Sequence, residues 1–297
     1  MVGAAEERHG VVVRVLITGA GGQLGTELTR VCTSGGDAVA ACSHADLDIA
    51  DRDAVHGAIT SVQPDVVFHC GAWTAVDACE SDHDRANRLN GLAVRWAAEA
   101  CHRVDAHLVH VSTDYVFDGA LDRPYVEWDE PNPQSAYGRS KLIGEREALS
   151  LGPSAAVVRT AWVCGEHGAN MVKTIMRLAT SQPALSFVDD QRGCPTFTAD
   201  LAPLLRRIAL DRRSGIIHAT NQGPTTWFGF AQAVVQAMGK DPAMVSPVAT
   251  TDLQPPRPAP RPANSVLDNA VLRAGGLALL RDWHEPMGEL VAALSDS

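Results

Sequence analysis

Val11-Val-Val-Arg-Val-Leu-Ile-Thr18 runs directly into Gly19-Ala-Gly21-Gly22-Gln23-Leu24-Gly25, and this junction decides the fold. The first segment is almost wholly β-branched or aliphatic, the composition of a strand buried on both faces. The second sets glycines at 19, 22 and 25, a G-x-x-G-x-x-G spacing, after which Leu24 to Val31 carry apolar residues at helical intervals. Glycines between a strand and a helix permit a tight turn, let backbone N–H groups approach a pyrophosphate and bring the helix close to the strand. Alone the motif is weak. At the first strand-to-helix junction it reads as a dinucleotide site, the competing reading being an ordinary glycine-rich turn.

Outward from this point the same alternation repeats. Strands are predicted at Val11 to Thr18, Ala38 to Ala41, Asp65 to Cys70, His107 to Ser112 and Ala156 to Thr160, with helices at Leu24 to Val31, Asp53 to Ser61, Arg85 to Cys101 and Ser135 to Ser150. Consecutive strand–helix units of this kind build an α/β fold, a doubly wound parallel sheet of the Rossmann type. Residues 11–160 therefore read as a dinucleotide-binding domain. Residues 161–297 read mainly as a smaller substrate-binding lobe, with some segments returning to the main body. There the predicted elements are helices at Gly168 to Thr180, Thr198 to Leu210, Trp227 to Met238 and Pro286 to Leu294, and strands at Leu185 to Val188 and Ile216 to Ala219. Gln254 to Pro262 contains five prolines and reads as an ordered, exposed connector.

Composition narrows the function. The net charge of −10 disfavours nucleic acid as a partner, and no apolar run approaches the ~20 residues that span a bilayer. Residues 1–10 are polar and lack the order of a secretory signal, so they read as a frayed extension of a cytoplasmic protein. The seven cysteines are scattered without a C-x-x-C pair, which argues for small buried side chains rather than disulfides or zinc.

Two further stretches carry chemistry. Tyr137-Gly-Arg-Ser-Lys141 puts a phenol and an ammonium on one helix face, one turn apart, in a chain with only three tyrosines and three lysines. Hydride delivered to a ketone leaves an alkoxide that needs a proton; Tyr137 is the candidate donor, and Lys141 is expected to lower its pKa and to hydrogen-bond the nicotinamide ribose. The null alternative is an exposed pair on a surface helix. Upstream, Ser112-Thr113-Asp114 ends a central strand where such sheets bind ligands. Thr113 is assigned to the substrate carbonyl, with Ser112 as the alternative because only one of two successive strand residues can face the site. At the end of the second strand no acid follows Cys42 directly, and Ser43 and His44 could tolerate a 2′-phosphate, which favours NADPH with NADH possible. Asp48 and Ile49 lie in a loop that could cover the adenine, the alternative for Asp48 being a helix cap.

In order, the glycine motif, Ser112-Thr-Asp-Tyr-Val-Phe-Asp-Gly119 and Tyr137-Gly-Arg-Ser-Lys141 resemble the extended short-chain dehydrogenase/reductases. Arg159-Thr-Ala-Trp162, Val188-Asp-Asp-Gln-Arg-Gly-Cys-Pro-Thr196 and Arg261-Pro-Ala-Asn-Ser-Val-Leu-Asp268 narrow the resemblance to the dTDP-4-dehydrorhamnose reductase family. It implies reduction of the C4 ketone of a dTDP-sugar by NADPH or NADH. It further implies that Gly22, Gln23, Leu24, Asp48, Ile49, Gly71, Ala72, Trp73 and Val111 line the cofactor together with Gly19 and Gly25, that Thr113 and Asp114 meet the sugar, and that Trp162 packs on thymine. Asn170, Arg192 and Arg261 are candidates for sugar and diphosphate contacts, with surface ion pairs as the alternative for the arginines. Some relatives form a Mg²⁺-bridged dimer through glutamates; Glu27 fits one position, but Asp200 stands where another glutamate would be. No metal site is therefore assigned, and both monomer and homodimer stay open. Two rival readings remain: a non-catalytic dinucleotide-binding subunit resembling the methionine adenosyltransferase β subunit, which the set Thr113, Tyr137 and Lys141 disfavours, and a nucleotide-sugar epimerase or dehydratase.

Overall fold

The computed structural model describes residues 12–150, 152 and 154–296, so the extension read at residues 1–10 lies outside them. Strands β1 (Arg14–Thr18), β2 (Ala38–Cys42), β3 (Val66–His69), β4 (His107–Thr113) and β5 (Ala155–Thr160) join a further strand, Gly215–His218, in one six-stranded sheet. All pairings are parallel, in the order β2-β1-β3-β4-β5 and then Gly215–His218. The chain steps outward from β1 to β2 and then returns to the other side of β1, so the order reverses between β1 and β3. At such a switch point the strand ends diverge and leave a crevice at their carboxyl edge.

Period-two alternation explains both faces of this sheet. Val15, Ile17, Phe68, Val109 and Val158 meet Leu24 and Leu28 of α1 (Gln23–Ser34) on one side, together with Leu201, Leu205 and Ile208 of a later helix. Leu16, Val67, Leu108 and Val157 meet Val55 and Ile59 of α2 (Arg52–Val62) on the other, with Ala97 and Cys101 beyond. Each fully buried aliphatic side chain contributes roughly 1.5–3 kcal/mol, so the two-faced core holds the crevice rigid.

The helix predicted over Arg85 to Cys101 is broken into three. After the single turn α3 (Val76–Cys79) come α4 (His83–Asn87), a π-helical turn at Arg88–Leu92, and α5 (Ala93–Val104). The extra residue in a π turn redirects one side chain. Here Asn90, fully buried, turns inward to accept from the Trp73 backbone N–H at 2.7 Å and to donate to the Trp73 carbonyl and the Ser140 hydroxyl, each at 3.0 Å. Helix α6 (Ala136–Leu149) follows β4 and starts on Ser135, whose hydroxyl accepts from the Gly138 N–H at 3.1 Å.

Beyond β5, α7 (Met171–Ser181), α9 (Trp227–Ala237) and the helix His284–Ser295 enclose a second core of Ile175, Phe230, Val234, Trp283 and Met287. Between α7 and α9, α8 (Thr198–Leu210) and the strand Gly215–His218 belong to the main body instead. The proline-rich connector is neither helix nor strand and is anchored on α3: Asp77 accepts from the Ala259 N–H at 3.1 Å and from both terminal nitrogens of Arg261. No described helix is long and apolar enough to cross a membrane. The described cysteines are free, five of them buried and Cys42 and Cys70 partly so.

Candidate active site

The glycine turn is built as the spacing predicts. Gly19 has φ +66°, and a Cβ there would lie 2.7 Å from the Gly71 nitrogen, so the loops after β1 and β3 touch across the switch point. A Cβ on Gly25 would run into the Gly19 carbonyl. Helix α1 begins with Gly22 as its N-cap, with no side chain capping the first N–H groups and no acid in the first turn. Those donors and the helix dipole fit the pyrophosphate of a dinucleotide. Ile49 closes on Gly71, where a Cβ would be 3.1 Å from its Cδ1.

Details around the cofactor crevice correct the sequence reading. Ser43 is not a free hydroxyl: its N–H and Oγ both donate to Asp46, at 2.9 and 2.6 Å, and these bonds hold the Asp46 carboxyl below its usual range. An acid therefore folds back onto the end of β2 from three residues further on. Asp48 does not cap α2; its Oδ1 accepts from the Ala50 N–H at 2.9 Å, and Asp51 caps the helix.

At the carboxyl end of β4 the two hydroxyls separate. Ser112 Oγ donates to Glu145 at 2.5 Å inside the protein, which removes it as a substrate donor. Thr113 Oγ1 donates to Asp114 Oδ1 at 3.0 Å and accepts from the Tyr115 N–H at 3.2 Å. Tyr137 is 9% exposed and stands edge-on to Tyr115, with centroids 5.6 Å apart. Burial raises its pKa above the ordinary value; the nearby Thr113 hydroxyl opposes this, and Asp114 and Tyr115 add to it. Lys141, expected to lower this pKa, is not among the largest influences on the phenol. The Lys141 ammonium, itself 2% exposed, donates to the Val111 carbonyl at 2.7 Å, and burial pulls its pKa down to about 8 against the pull of Glu145 and Cys70. Asp114 is buried too; burial pushes its carboxyl up to about 6, and its Oδ2 has no hydrogen-bond partner.

The predicted sugar and base contacts fall out less evenly. Trp162 adopts φ +47°, unusual for a bulky residue, and one ring face is covered by Trp227, with centroids 3.5 Å apart and planes 6° from parallel. A base packing here meets a pair of indoles, and Trp227 was not singled out from the sequence because nothing local links it to Trp162. Asn170 caps α7 and donates to Gln23 Oε1 at 3.0 Å and to the Gly165 carbonyl at 2.7 Å, tying the smaller lobe to the glycine turn. Arg261 is committed to Asp77 and the Ala259 carbonyl, the ion-pair alternative. Arg192 is exposed and lines a cleft of about 280 Å³ with Gly119, Asp122, Asp189, Asp190 and Asn264. Glu27 pairs with Arg30, and Asp200 with Arg281 and Asn221. Among the described residues no three His, Cys, Asp or Glu side chains group to hold a metal ion.

Comparison with known proteins identifies the family. The family model described as RmlD substrate binding domain matches residues 13–295. A dTDP-4-dehydrorhamnose reductase of Streptomyces griseus is 44% identical over 287 residues, covering 95% of this chain and 94% of that protein. A probable dTDP-4,6-dihydroxy-2-methyloxan-3-one 4-ketoreductase of Streptomyces antibioticus is 45% identical over 281 residues, covering 93% and 94%. The crystal structure of dTDP-4-dehydrorhamnose reductase from Bacillus anthracis in complex with NADP superposes with a TM-score of 0.91 at 33% identity, covering 95% of this chain and 100% of that one. On a match over residues 13–295 and identities of 44% and 45% across nearly the whole chain, this chain belongs to the RmlD substrate binding domain family, that of the dTDP-4-dehydrorhamnose reductases.

Proposed function

We propose that the protein reduces the C4 ketone of dTDP-4-dehydro-L-rhamnose to give dTDP-L-rhamnose, in the cytoplasm, with NADPH as the reductant and NADH as a possible substitute. The observation that carries this reading is the buried Tyr137 phenol, packed edge-on against Tyr115 and acted on by the Thr113 hydroxyl at the carboxyl end of β4, in a fold whose first helix starts on an uncapped glycine turn. The bound dinucleotide would supply the hydride. Gly19, Gly22, Gln23, Leu24 and Gly25 would hold its pyrophosphate, while Ile49, Gly71, Ala72 and Trp73 would wall the crevice.

The remaining steps belong to the chain. Thr113 hydrogen-bonds the ketone oxygen and holds it beside Tyr137. The raised pKa keeps the phenol protonated at neutral pH, the form a reduction needs, and the proton moves to the ketone oxygen only as that oxygen becomes an alkoxide. The Lys141 ammonium has three N–H donors; one is spent on the Val111 carbonyl and a second faces His110 Nε2, which leaves one for the crevice. The smaller lobe would receive the nucleotide sugar, with Trp162 and Trp227 offering a flat apolar wall to thymine and Arg192 a positive charge. All three relatives carry names of reductases acting on dTDP-linked sugars, which favours reduction over epimerisation. Mixing the protein with NADPH and enzymatically generated dTDP-4-dehydro-L-rhamnose should give a substrate-dependent fall in reduced-cofactor absorbance; its absence with either NADPH or NADH would overturn the reading.

A further inference from the structure

Three neighbouring strands carry a polar row through the sheet interior. Thr18 of β1 is in register with His69 of β3, and His69 with His110 of β4. All three are fully buried. A parallel sheet covered on both faces fills such positions with aliphatic side chains, so two adjacent imidazoles, with ring centroids 5.7 Å apart, call for a physical reason. At one end of the row, Thr18 Oγ1 bonds His69 Nδ1 at 3.1 Å and accepts from the Gly71 N–H at 3.2 Å. At the other end, the Lys141 ammonium lies 3.5 Å from His110 Nε2. Gly144, one turn further along α6, leaves room for this ring, since a Cβ there would lie 3.3 Å from the same Nε2.

Charge decides how the contact works. Burial, with Lys141 as the next cause, pushes His69 down to about 3 and His110 well below its usual value, so both rings are neutral. A neutral imidazole has one bare nitrogen; beside an ammonium that nitrogen is Nε2, which places the His110 proton on Nδ1, a buried nitrogen with no hydrogen-bond partner of its own. The Val111 carbonyl, at 2.7 Å, is the nearer acceptor for Lys141, and His110 Nε2 is the second. The charged or titratable groups acting on the ammonium are Glu145 on its own helix and Cys70 after β3, with His69 and His110 facing it from the sheet.

We propose that His110, packed against the His69 ring, is a positioning residue that holds the Lys141 ammonium in place beside the Val111 carbonyl. This rests on the reading of Lys141 as part of the reductase machinery. Without the second acceptor a buried ammonium is less well compensated, so His110→Leu lowers the proton affinity of Lys141, while His110→Gln, which keeps an acceptor, restores it.

With three lysines in the chain, protein labelled with ¹³C at lysine Cε gives a spectrum of three signals, and Lys141→Arg identifies the one of interest. In the wild-type protein that signal should titrate near pH 8. In His110→Leu its midpoint should fall by about one pH unit, a roughly tenfold loss of charged fraction on the alkaline side, and His110→Gln should recover most of the shift. The alkaline limb of kcat should move with it while KM for the nucleotide sugar stays constant. An unchanged Lys141 midpoint in a folded His110→Leu overturns the proposal. If that variant does not fold, ¹⁵N shifts of wild-type His110 decide: a bare Nε2 with a protonated Nδ1 supports the link, and a protonated Nε2 overturns it. The lysine and imidazole readouts need no substrate, so a protein that shows them yet reduces no ketone would sink the reductase reading and leave the Lys141–His110 link standing.

Discussion

Asp114 and Tyr137 illustrate how burial, rather than the nearest charge, sets protonation in this site. The Asp114 carboxyl titrates near 6 in the folded chain against an ordinary 3.8, so the folded form holds a proton that the unfolded chain releases between these values. Stability from this group is therefore full below about pH 3.8, lost as pH rises through 6, and constant above. Asp114→Asn should gain stability relative to the wild-type protein on going from pH 4 to pH 7, by on the order of 2–3 kcal/mol; a pH-independent difference in denaturant midpoints would show that the carboxyl is not desolvated as described. Tyr137→Phe removes the proton donor and nothing from the glycine turn. Its kcat should drop by about 10²–10⁴-fold with dinucleotide affinity near that of the wild-type protein, and retention of the full rate would place the donor elsewhere.

At the scale of elements, helix α6 organises the site. Ser135 starts it, Tyr137 and Lys141 share one face, and Glu145 continues that face one turn on. Glu145 takes a bidentate contact from Arg159 of β5, at 2.9 and 2.7 Å, as well as the Ser112 hydroxyl, and both charged partners are almost fully buried. A buried pair of this kind is costly to break from one side. Arg159→Met should cost about 3–5 kcal/mol in chemical denaturation, whereas Arg159→Met with Glu145→Leu should recover much of the loss; equal losses in the single and double variants would argue against an uncompensated charge as the cause. The Tyr137/Lys141 spacing, the helix start at Ser135, the strand alternation and the assignment of Thr113 were all readable, because each is recorded in residues a few positions apart. The contact that takes the Ser112 hydroxyl was not, since it is made by Glu145, 33 residues away. Nor was the π turn that aims Asn90, because a 3.6-residue pattern carries straight through it.

Across the whole molecule, function depends on two bodies meeting at one crevice. The sheet order reverses between β1 and β3 and opens the cofactor side, while Gln23 and Asn170 join the glycine turn to α7 of the smaller lobe. The pairing of Trp162 with Trp227, the Arg261–Asp77 ion pair and the Thr18–His69–His110 row all join segments remote in sequence, which is why local spacing did not disclose them. Trp162→Ala and Trp227→Ala should each raise KM for the nucleotide sugar with little change in dinucleotide Kd, measured by fluorescence titration; an unchanged KM in both would dismiss the indole wall. The central claim, reduction at a sugar ketone by Thr113 and Tyr137 beside the dinucleotide, is tested most directly with NADPH carrying deuterium at its transferable position. Product analysed by mass spectrometry and NMR should carry one deuterium at C4, formed one for one with oxidised cofactor and nearly absent with Tyr137→Phe. Unlabelled product, or a changed sugar with no net cofactor oxidation, would contradict the account.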